Sequence, residues 1–157
     1  MGWDDNEQIV LFAGAFDNEV KNSPLAKEAV SLVPNIKLVE LRGYTREQVS
    51  LLINAANCLL MTSHREGSPV VIKEALACGT PIVSVDVGDV KDVVSGVNGC
   101  FVSTYDANDV ATKIQQALLF KGKTNGPQSI VDKGLSNDIV VNRIYDIYQK
   151  VIGMPKR

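Results

Sequence analysis

Residues 63–81 of this 157-residue chain read SHREGSPVVIKEALACGTP. An apolar run at 58–61 comes just before them and predicts a short strand that is buried on both faces. The polar residues that open the segment predict a tight loop, and the residues from Pro69 onward predict a helix that stops at Gly79. Ser68 can cap this helix, and proline suits the first helical position because its missing N–H would have no partner there. Strand, loop and helix in this order form the repeating unit of an α/β fold.

The same alternation continues on both sides of this segment. Strands are predicted at residues 9–13, 36–41, 58–61, 82–85 and 100–102. Helices are predicted at 24–33, with Ser23 as cap, at 45–56, with the capping box Thr45 to Gln48, and at 69–78, 90–94 and 107–120. We therefore expect an α/β fold, a Rossmann-like three-layer structure with a parallel sheet and helices on both faces. Such sheets bind ligands at the carboxyl ends of their strands, which directs attention to the loops around Gly14, Gly43, 63–69 and 86–88.

Four parts are predicted along the chain. They are an N-terminal tail at 1–8, a Rossmann-like ligand-binding domain at 9–120, a polar connector at 121–137 and a C-terminal amphipathic helix at 138–153. In that helix the spacing of four apolar residues places them on one stripe, at Val140, Ile144, Ile147 and Val151. The stripe requires something to pack on, which can be this domain or a partner domain.

Composition and charge exclude several classes of protein. The formal net charge is −2, from 16 basic and 18 acidic residues, which argues against a nucleic-acid-binding surface. No apolar run approaches the roughly 20 residues that span a bilayer, and the acidic start of the chain is not typical of a signal peptide. Cys58, Cys78 and Cys100 are expected to be buried, reduced thiols of a cytoplasmic protein. With His64 as the single histidine we expect no metal site, and we expect His64 to be a loop residue without a chemical role.

The predicted start of the helix that follows 63–69 is suited to bind an anion. The free N–H groups of Val70 and Val71 point out of the helix and the helix dipole adds to them, so the two phosphates of a nucleoside diphosphate fit there. Glu74 lies on the same face as Val70, where a carboxylate can accept both hydroxyls of a ribose. Glu66 lies in the loop, where it can accept hydrogen bonds from sugar hydroxyls. The alternative is that Glu66 is a solvated loop acid and that Glu74 makes a local ion pair.

This region also resembles a known family. Glu66 and Glu74 are separated by seven residues and are followed by ALACGTPIV at 75–83 and DVG at 86–88, a pattern that resembles the signature of the family-four retaining glycosyltransferases. Enzymes of that family have the GT-B architecture, in which two Rossmann-like domains face each other across a cleft. The resemblance covers roughly residues 9–152 and matches the C-terminal, donor-binding domain, so this chain is expected to be one half of a GT-B fold.

The resemblance implies a reaction and a set of roles. A glycosyl group passes from a nucleoside-diphosphate sugar to an acceptor hydroxyl with retention of configuration, with no cofactor and no metal ion. Glu66 corresponds to the family's glutamate that contacts the donor sugar, and Glu74 to the one that holds the ribose. The residues that would contact the sugar and the diphosphate are Gly67, Ser68, Pro69, Val70 and Val71.

The resemblance also implies a basic group after the first strand that neutralises the diphosphate. Gly14 matches the family's glycine and Lys21 its lysine, so Lys21 joins Glu66 as a catalytic candidate. Ala15 stands where the family has an arginine, and the loss of that cation weakens leaving-group stabilisation. Arg65 is the residue near the site that could replace it.

Two further loops can be compared with the family in the same way. Gly43 follows the second strand, where the family places its nucleotide base, so backbone contacts there would bind the base. After residues 86–88 the family continues with glycine and a proline, and this chain has Asp89 and Lys91 instead.

Three functions are compatible with these features. The first is the donor-binding domain of a retaining glycosyltransferase, with polysaccharide or glycan biosynthesis as its family-level setting. The second, motivated by Ala15 and by the absent second domain, is a non-catalytic module that binds nucleotide sugars. The third is one half of a sugar-nucleotide epimerase.

In the first case the expected partners are the nucleoside-diphosphate sugar and an N-terminal acceptor-binding domain. Without that domain, the chain alone is expected to bind donor weakly and to catalyse little. The family also allows peripheral association of the complete enzyme with a membrane.

Overall fold

The computed structural model describes residues 7–153, which form a five-stranded parallel sheet covered by helices. The strand order is β2-β1-β3-β4-β5, and each neighbouring pair is parallel. The strands are β1 Gln8–Phe12, β2 Ile36–Glu40, β3 Cys58–Met61, β4 Ile82–Val85 and β5 Cys100–Ser103. The predicted Rossmann-like α/β fold is confirmed, and each predicted strand is present to within one residue at either end.

Helices lie on both faces of the sheet. They are α1 Ser23–Ser31, α2 Arg46–Ala55, α3 Val70–Ala77, α4 Val90–Val94, α5 Ala107–Leu119, α6 Gly126–Asp132 and α7 Asn137–Ile152, with a 3-10 helix at Glu19–Lys21. Helices α1 and α5 pack on each other, while α3 packs on α2, α4 and α6. The two groups of helices lie on opposite faces because crossover connections between parallel strands are right-handed. The connection from β1 to β2 runs across the sheet in one direction, and the connections from β2 to β5 run in the other, so their helices cover different faces.

The core lies between these layers. Strands β3 and β4 are buried along their whole length, as expected for central strands that are covered on both faces. The largest fully buried side chains include Leu11, Phe12, Leu59, Leu60, Met61, Ile72, Leu76, Ile82 and Ile114. Edge strand β2 is only partly buried, so the core is centred on β1, β3 and β4.

The order of the strands also fixes where a ligand can bind. The chain runs from β1 to β2 on one side and then returns to place β3 on the other side of β1. The carboxyl ends of β1 and β3 therefore flank the topological switch point, where open α/β sheets have their crevice. The loops that leave these two strands carry Gly14 to Lys21 and Ser63 to Pro69.

The predicted helix ends were partly right. The capping box is present, with Thr45 N–H donating to Gln48 Oε1 at 2.9 Å and Gln48 N–H donating to Thr45 Oγ1 at 3.3 Å. Ser23 is the first residue of α1 and not its cap, because its hydroxyl donates to Phe16 O at 2.7 Å. The helix is preceded by Asn22, whose backbone is left-handed with φ of 54°.

The start of α3 also differs from the prediction. Pro69 is the residue before the helix, with an extended backbone, and Ser68 makes no capping hydrogen bond. At the other end the prediction was correct, since Gly79 follows the helix with φ of 66°.

The connector predicted at 121–137 is wrong in its central part, where α6 runs from Gly126 to Asp132. This helix packs on α3, and Ile130 and Ser129 are buried. Gly126 lies against the backbone of Leu76 so closely that a Cβ would be 2.9 Å from Leu76 Cα. Tertiary packing of a polar segment, and not its own apolar pattern, makes this helix stable.

Helix α7 is present as predicted, and it ends at Gly153. None of its residues is buried, so this domain leaves much of the apolar stripe exposed. Ile144 and Ile147 are 48% and 60% exposed, respectively. Packing of this stripe towards another domain stays a prediction.

All three cysteines are free thiols, but they are not equally buried. Cys58 is fully buried, as predicted, whereas Cys78 and Cys100 are only partly buried. Burial raises the pKa of the Cys58 thiol well above its ordinary range and that of Cys100 to about 11, so both are protonated at neutral pH. Within residues 7–153, no helix has both the length and the apolar character needed to cross a membrane.

Candidate functional site

Lys21 and Glu66 form an ion pair at the switch point of the sheet. Lys21 Nζ donates to Glu66 Oε1 at 2.6 Å, and the two side chains are 24% and 15% exposed. Lys21 comes from the loop after β1 and Glu66 from the loop after β3. The two residues predicted to be catalytic are therefore brought together, although they are 45 positions apart in the sequence.

Gly14 makes this pair sterically feasible. A Cβ at Gly14 would lie 2.6 Å from Lys21 Cγ and 3.0 Å from Lys21 Cδ. The lysine stem therefore lies directly on the glycine at the end of β1, and its ammonium extends to the carboxylate of Glu66. Gly14 was predicted to contact the donor, and the structure places it under the lysine.

Two side chains that the sequence analysis missed hold the loop after β1. The hydroxyl of Thr62 lies 3.0 Å from Lys21 O and 2.9 Å from Asn22 O, so it donates to the backbone at the base of Lys21. Glu40, the last residue of β2, accepts from Phe16 N–H at 2.6 Å. A polar residue at the end of a strand is the signal that could have found both of them.

The amino end of α3 faces out of the domain without a side-chain cap. Pro69 is buried and cannot supply a capping oxygen, and no other side chain caps this helix. Val70, the first helical residue, is 60% exposed. By contrast, α2 and α5 are capped by Thr45 and Asp106. The predicted anion site on the first N–H groups of α3 is therefore compatible with the structure.

Glu74 is partly buried on α3, and its carboxylate makes no ion pair within the described part of the chain, 7–153. The local ion pair considered as an alternative for this residue is thus not formed. Glu66 is not a solvated loop acid either, since its carboxylate is largely buried against Lys21.

The loop at Gly67 and Ser68 contacts the loop after β4. Asp89 N–H donates to Gly67 O at 3.1 Å. The hydroxyl of Ser68 donates to Asp89 Oδ2, and Lys73 Nζ donates to Ser68 Oγ. Neither Lys73 nor Asp89 was predicted to belong to the site.

Gly43 and Arg65 are the two predicted site residues that the structure does not connect to the others. Gly43 is exposed, with φ of 75° and nothing within 4 Å of where a Cβ would be. Its neighbour Arg42 makes an exposed ion pair with Asp17, with Nη1 and Oδ2 2.6 Å apart. Arg65 is exposed and forms no ion pair among the residues that the structure describes.

His64 lies beside the site and is held by packing. Its ring stacks on Tyr105, with centroids 5.9 Å apart and 14° between the ring planes. Tyr105 Oη donates to Ser63 O at 2.9 Å, and His64 N–H donates to Val20 O at 2.9 Å. The two rings border a groove of about 630 Å³ that is also lined by Asn22, Pro24, Leu25 and Glu28.

A second groove of similar size, about 660 Å³, lies at the opposite end of the strands. It is lined by Gln8, Val33, Pro34, Asn35, Gln115, Leu118 and Leu119. This groove contains no charged side chain, so we place the site at the switch point. In the described range, 7–153, no cluster of three or more His, Cys, Asp or Glu side chains could hold a metal ion.

Comparison with known proteins connects this geometry to a family. The sequence model described as glycosyl transferases group 1 matches residues 10–119. A D-inositol 3-phosphate glycosyltransferase from Mycolicibacterium smegmatis is 37% identical over 112 residues, which are 69% of this chain and 26% of that protein. The N,N'-diacetylbacillosaminyl-diphospho-undecaprenol alpha-1,3-N-acetylgalactosaminyltransferase of Campylobacter jejuni is 30% identical over 111 residues, 68% of this chain and 30% of that protein.

Solved structures share the fold. A sucrose-phosphate synthase from Thermosynechococcus elongatus superposes with a TM-score of 0.83 at 20% identity, over 98% of this chain and 47% of that chain. A glycosyltransferase from Rickettsia africae superposes with a TM-score of 0.78 at 12% identity, over 97% of this chain and 50% of that chain. The chain thus spans about half the length of these solved neighbours and matches about a quarter of the length of the curated relatives.

Proposed function

This chain belongs to the glycosyl transferases group 1 family, and on that premise we propose that it is the donor-binding domain of a retaining glycosyltransferase. In the complete enzyme it would bind a nucleoside-diphosphate sugar and present the sugar to an acceptor hydroxyl. The observation that carries the proposal is the Lys21–Glu66 pair, which lies at the switch point of the sheet. The same edge of the sheet carries the uncapped start of α3.

The proposed site divides the donor among three sets of groups. The first N–H groups of α3, at Val70 and Val71, donate hydrogen bonds to the diphosphate, and the helix dipole adds to their positive charge. The ammonium of Lys21 neutralises negative charge as the diphosphate leaves. The α3 amino end and the Lys21 ammonium both carry positive charge and are in place before the donor binds. We therefore propose that donor binding requires no metal ion.

The two glutamates bind the uncharged parts of the donor in this proposal. Glu74 accepts hydrogen bonds from the ribose hydroxyls. Its carboxylate is available for this role, because it has no ion-pair partner within 7–153. Glu66 accepts hydroxyls of the sugar with the lone pairs that Lys21 leaves free. Arg65 is assigned no side-chain role, since it forms no ion pair within residues 7–153.

The exposed face of α7 is where we propose that the other half of the enzyme docks. Its apolar side chains include Val140, Val141, Ile144, Tyr145, Ile147, Tyr148 and Val151, and each is at least 37% exposed. A helix with so much exposed apolar surface is expected to be covered in the complete protein. The acceptor would bind to that other half, and we propose a cytoplasmic reaction in glycan or polysaccharide assembly.

The relatives give no reason to prefer the alternatives. Both curated relatives described above are named as glycosyltransferases, and neither name describes a binding module or an epimerase. Although Ala15 replaces the family's arginine, Lys21 still supplies a cation after β1, so Ala15 does not by itself favour a non-catalytic module.

Titration calorimetry with a panel of nucleoside-diphosphate sugars tests the proposal. The panel is UDP-glucose, GDP-mannose, ADP-glucose and UDP-N-acetylglucosamine. We expect one member to bind, and Lys21→Ala and Glu74→Ala each to weaken it by about tenfold, or about 1.4 kcal/mol. Lys37→Ala, an exposed lysine on β2, is the control and should bind as the parent does. The site assignment is wrong if Lys21→Ala and Glu74→Ala also bind as the parent does.

A further inference from the structure

The loop that carries Glu66 is attached to the loop after β4 through the backbone. Asp89 N–H donates to Gly67 O at 3.1 Å. Gly88, with φ of 58°, packs on the carbonyl groups of this loop, and a Cβ there would lie 3.0 Å from Glu66 O and closer still to Gly67 O. The two loops are therefore in direct contact at the point where Glu66 leaves the chain.

A cluster of three side chains closes the same contact. Ser68 donates to Asp89 Oδ2, Lys73 donates to Ser68 Oγ, and Lys73 Nζ lies 3.6 Å from Asp89 Oδ2. Lys73 reaches the loop because side chains on a helix point back towards its amino end. We call these residues the Ser68–Lys73–Asp89 cluster.

The Lys73–Asp89 ion pair of this cluster is partly buried. The side chains of Lys73 and Asp89 are 24% and 37% exposed, against 70% and 56% for the neighbouring pair of Lys91 and Asp86. Salt screens the attraction within a partly buried ion pair less than within an exposed one. The attraction between Lys73 and Asp89 is therefore strong enough to help hold the loop in place.

The part of the loop at Gly67 and Ser68 is open to solvent. Nothing lies within 4 Å of the position of a Cβ at Gly67, and Ser68 is exposed. The loop is thus held by Asp89 on one side and by the contact of Glu66 with Lys21 on the other. A ligand that enters from the open side would contact a loop whose position these two attachments define.

We infer that the Ser68–Lys73–Asp89 cluster is a positioning device that sets the contact between Glu66 and the donor sugar. The inference rests on the proposed function, because it assigns the sugar to Glu66. Lys73 and Asp89 are positioning residues, since they act through the loop and touch no donor atom. Their loss should lower affinity for the sugar part of the donor while the nucleotide part binds as before.

A charge-balanced double variant tests this inference. Lys73→Gln with Asp89→Asn removes one positive and one negative charge, and so does the control, Glu7→Gln with Lys37→Gln. The control pair has atoms 3.5 Å apart and lies at the opposite end of the strands. The readout is the ratio of the affinities for UDP-glucose and UDP, or for GDP-mannose and GDP, whichever pair the parent binds.

We expect the ratio to fall by about fivefold in the Lys73/Asp89 variant, a size typical of coupled neighbours, and to stay unchanged in the control. The affinity for the nucleoside diphosphate alone should change by less than about twofold. The conservative variant Lys73→Arg should keep the parent's ratio. A retained ratio in the double variant, or an equal loss for both ligands, would overturn the inference.

Two further measurements separate this inference from the proposed function. If Glu66→Gln leaves the ratio unchanged, the role proposed for Glu66 is wrong and the inference is wrong with it; if Glu66→Gln lowers it and the double variant does not, only the inference fails. In the free protein, hydrogen exchange of the residue-89 amide, corrected for its intrinsic rate, should be faster in the double variant. An unchanged rate would show that the cluster does not hold the loop.

Discussion

The side chain of Lys21 lies on the α-carbon of Gly14, so closely that a Cβ on the glycine would be 2.6 Å from Lys21 Cγ. The backbone of Gly14 does not have a positive φ, so its conformation does not require glycine. Glycine is required because Lys21 occupies the space that a side chain would fill. The ammonium at the end of this lysine side chain lies 2.6 Å from Glu66 Oε1. The position of the site cation is therefore set by a residue that has no side chain.

Gly14→Ala should displace Lys21 and weaken nucleoside-diphosphate binding without unfolding the domain. A methyl group fits the backbone at this position but not the lysine stem, so the ammonium moves away from the site. We expect affinity to fall by about tenfold, measured by calorimetry, with the midpoint of thermal unfolding checked in parallel. Combined with Lys21→Ala, the glycine variant should cost nothing further, because the two share one mechanism. Additive losses would contradict this reading.

Lys21→Met and Glu66→Gln should change nucleoside-diphosphate affinity in opposite directions. Removal of the lysine removes a cation from beside the diphosphate and should weaken binding of UDP or GDP by about tenfold. Removal of the Glu66 charge leaves Lys21 unpaired and should tighten binding of the same ligand by a few fold. Titrations at low and high salt check the electrostatic origin, since both effects should shrink as salt rises. Weakening by both variants would mean that the pair acts as a structural unit.

Thr45→Ala should destabilise the domain by about 1 kcal/mol, because it removes the hydroxyl that accepts the Gln48 N–H in the capping box. The measurement is the free energy of unfolding in urea. Ser136→Ala is the matched control, since Ser136 precedes α7 without making a capping hydrogen bond. The control should change stability by no more than a few tenths of a kcal/mol. Equal losses in the two variants would show that the box contributes nothing specific.

Polar substitution on the face of α7 should leave the stability of this domain unchanged. Ile144 and Ile147 are about half exposed, so replacing both by serine exposes no core. Ile114→Ala, in the buried face of α5, should cost about 2 to 5 kcal/mol in the same urea titration. A loss of more than about 1 kcal/mol from the α7 variant would mean that the stripe packs on this domain.

The contribution of Asp109 to stability should disappear in acid. Thr104 donates its N–H at 2.7 Å and its hydroxyl at 2.9 Å to Asp109 Oδ2, which holds the pKa of that carboxyl below its usual value of 3.8. A carboxyl with a lowered folded-state pKa stabilises the fold above its unfolded pKa and loses this effect as pH falls through the folded value. Asp109→Asn should therefore be less stable than the parent at about pH 6, and the difference should shrink steadily as the pH falls below about 4. A constant difference across this range would contradict the assignment.

The direct ion pair between Lys21 and Glu66 was not predicted, although the family resemblance indicated both residues for the site. The sheet and its flanking helices could be predicted because each depends on a local pattern. The capping box at Thr45 and the end of α3 at Gly79 are of the same kind. Residues 121–137 could not be predicted correctly, because α6 is stabilised by contacts between Gly126 and Leu76 that no local pattern contains.

The caps predicted at Ser23 and Ser68 failed for a related reason. Both hydroxyls bond to groups other than the free N–H groups of the helix start, Phe16 O for Ser23 and the Lys73–Asp89 pair for Ser68. The roles of Glu40 and Thr62 likewise follow from the order of the strands, which places their ends beside the loop after β1. Sequence patterns locate the strands but do not specify which strand ends meet.

The proposed donor site is best tested by amide NMR of the 15N-labelled chain, titrated with UDP-glucose, GDP-mannose, ADP-glucose and UDP-N-acetylglucosamine. This measurement detects weak binding, which is expected for one half of a larger enzyme. We predict that one donor shifts the amide resonances of Gly67, Val70 and Val71 and those around Lys21 more than any others. Shifts confined to the groove at Gln8 and Leu118, or no shifts with any of the four donors, would show that this chain does not bind a donor at the proposed site.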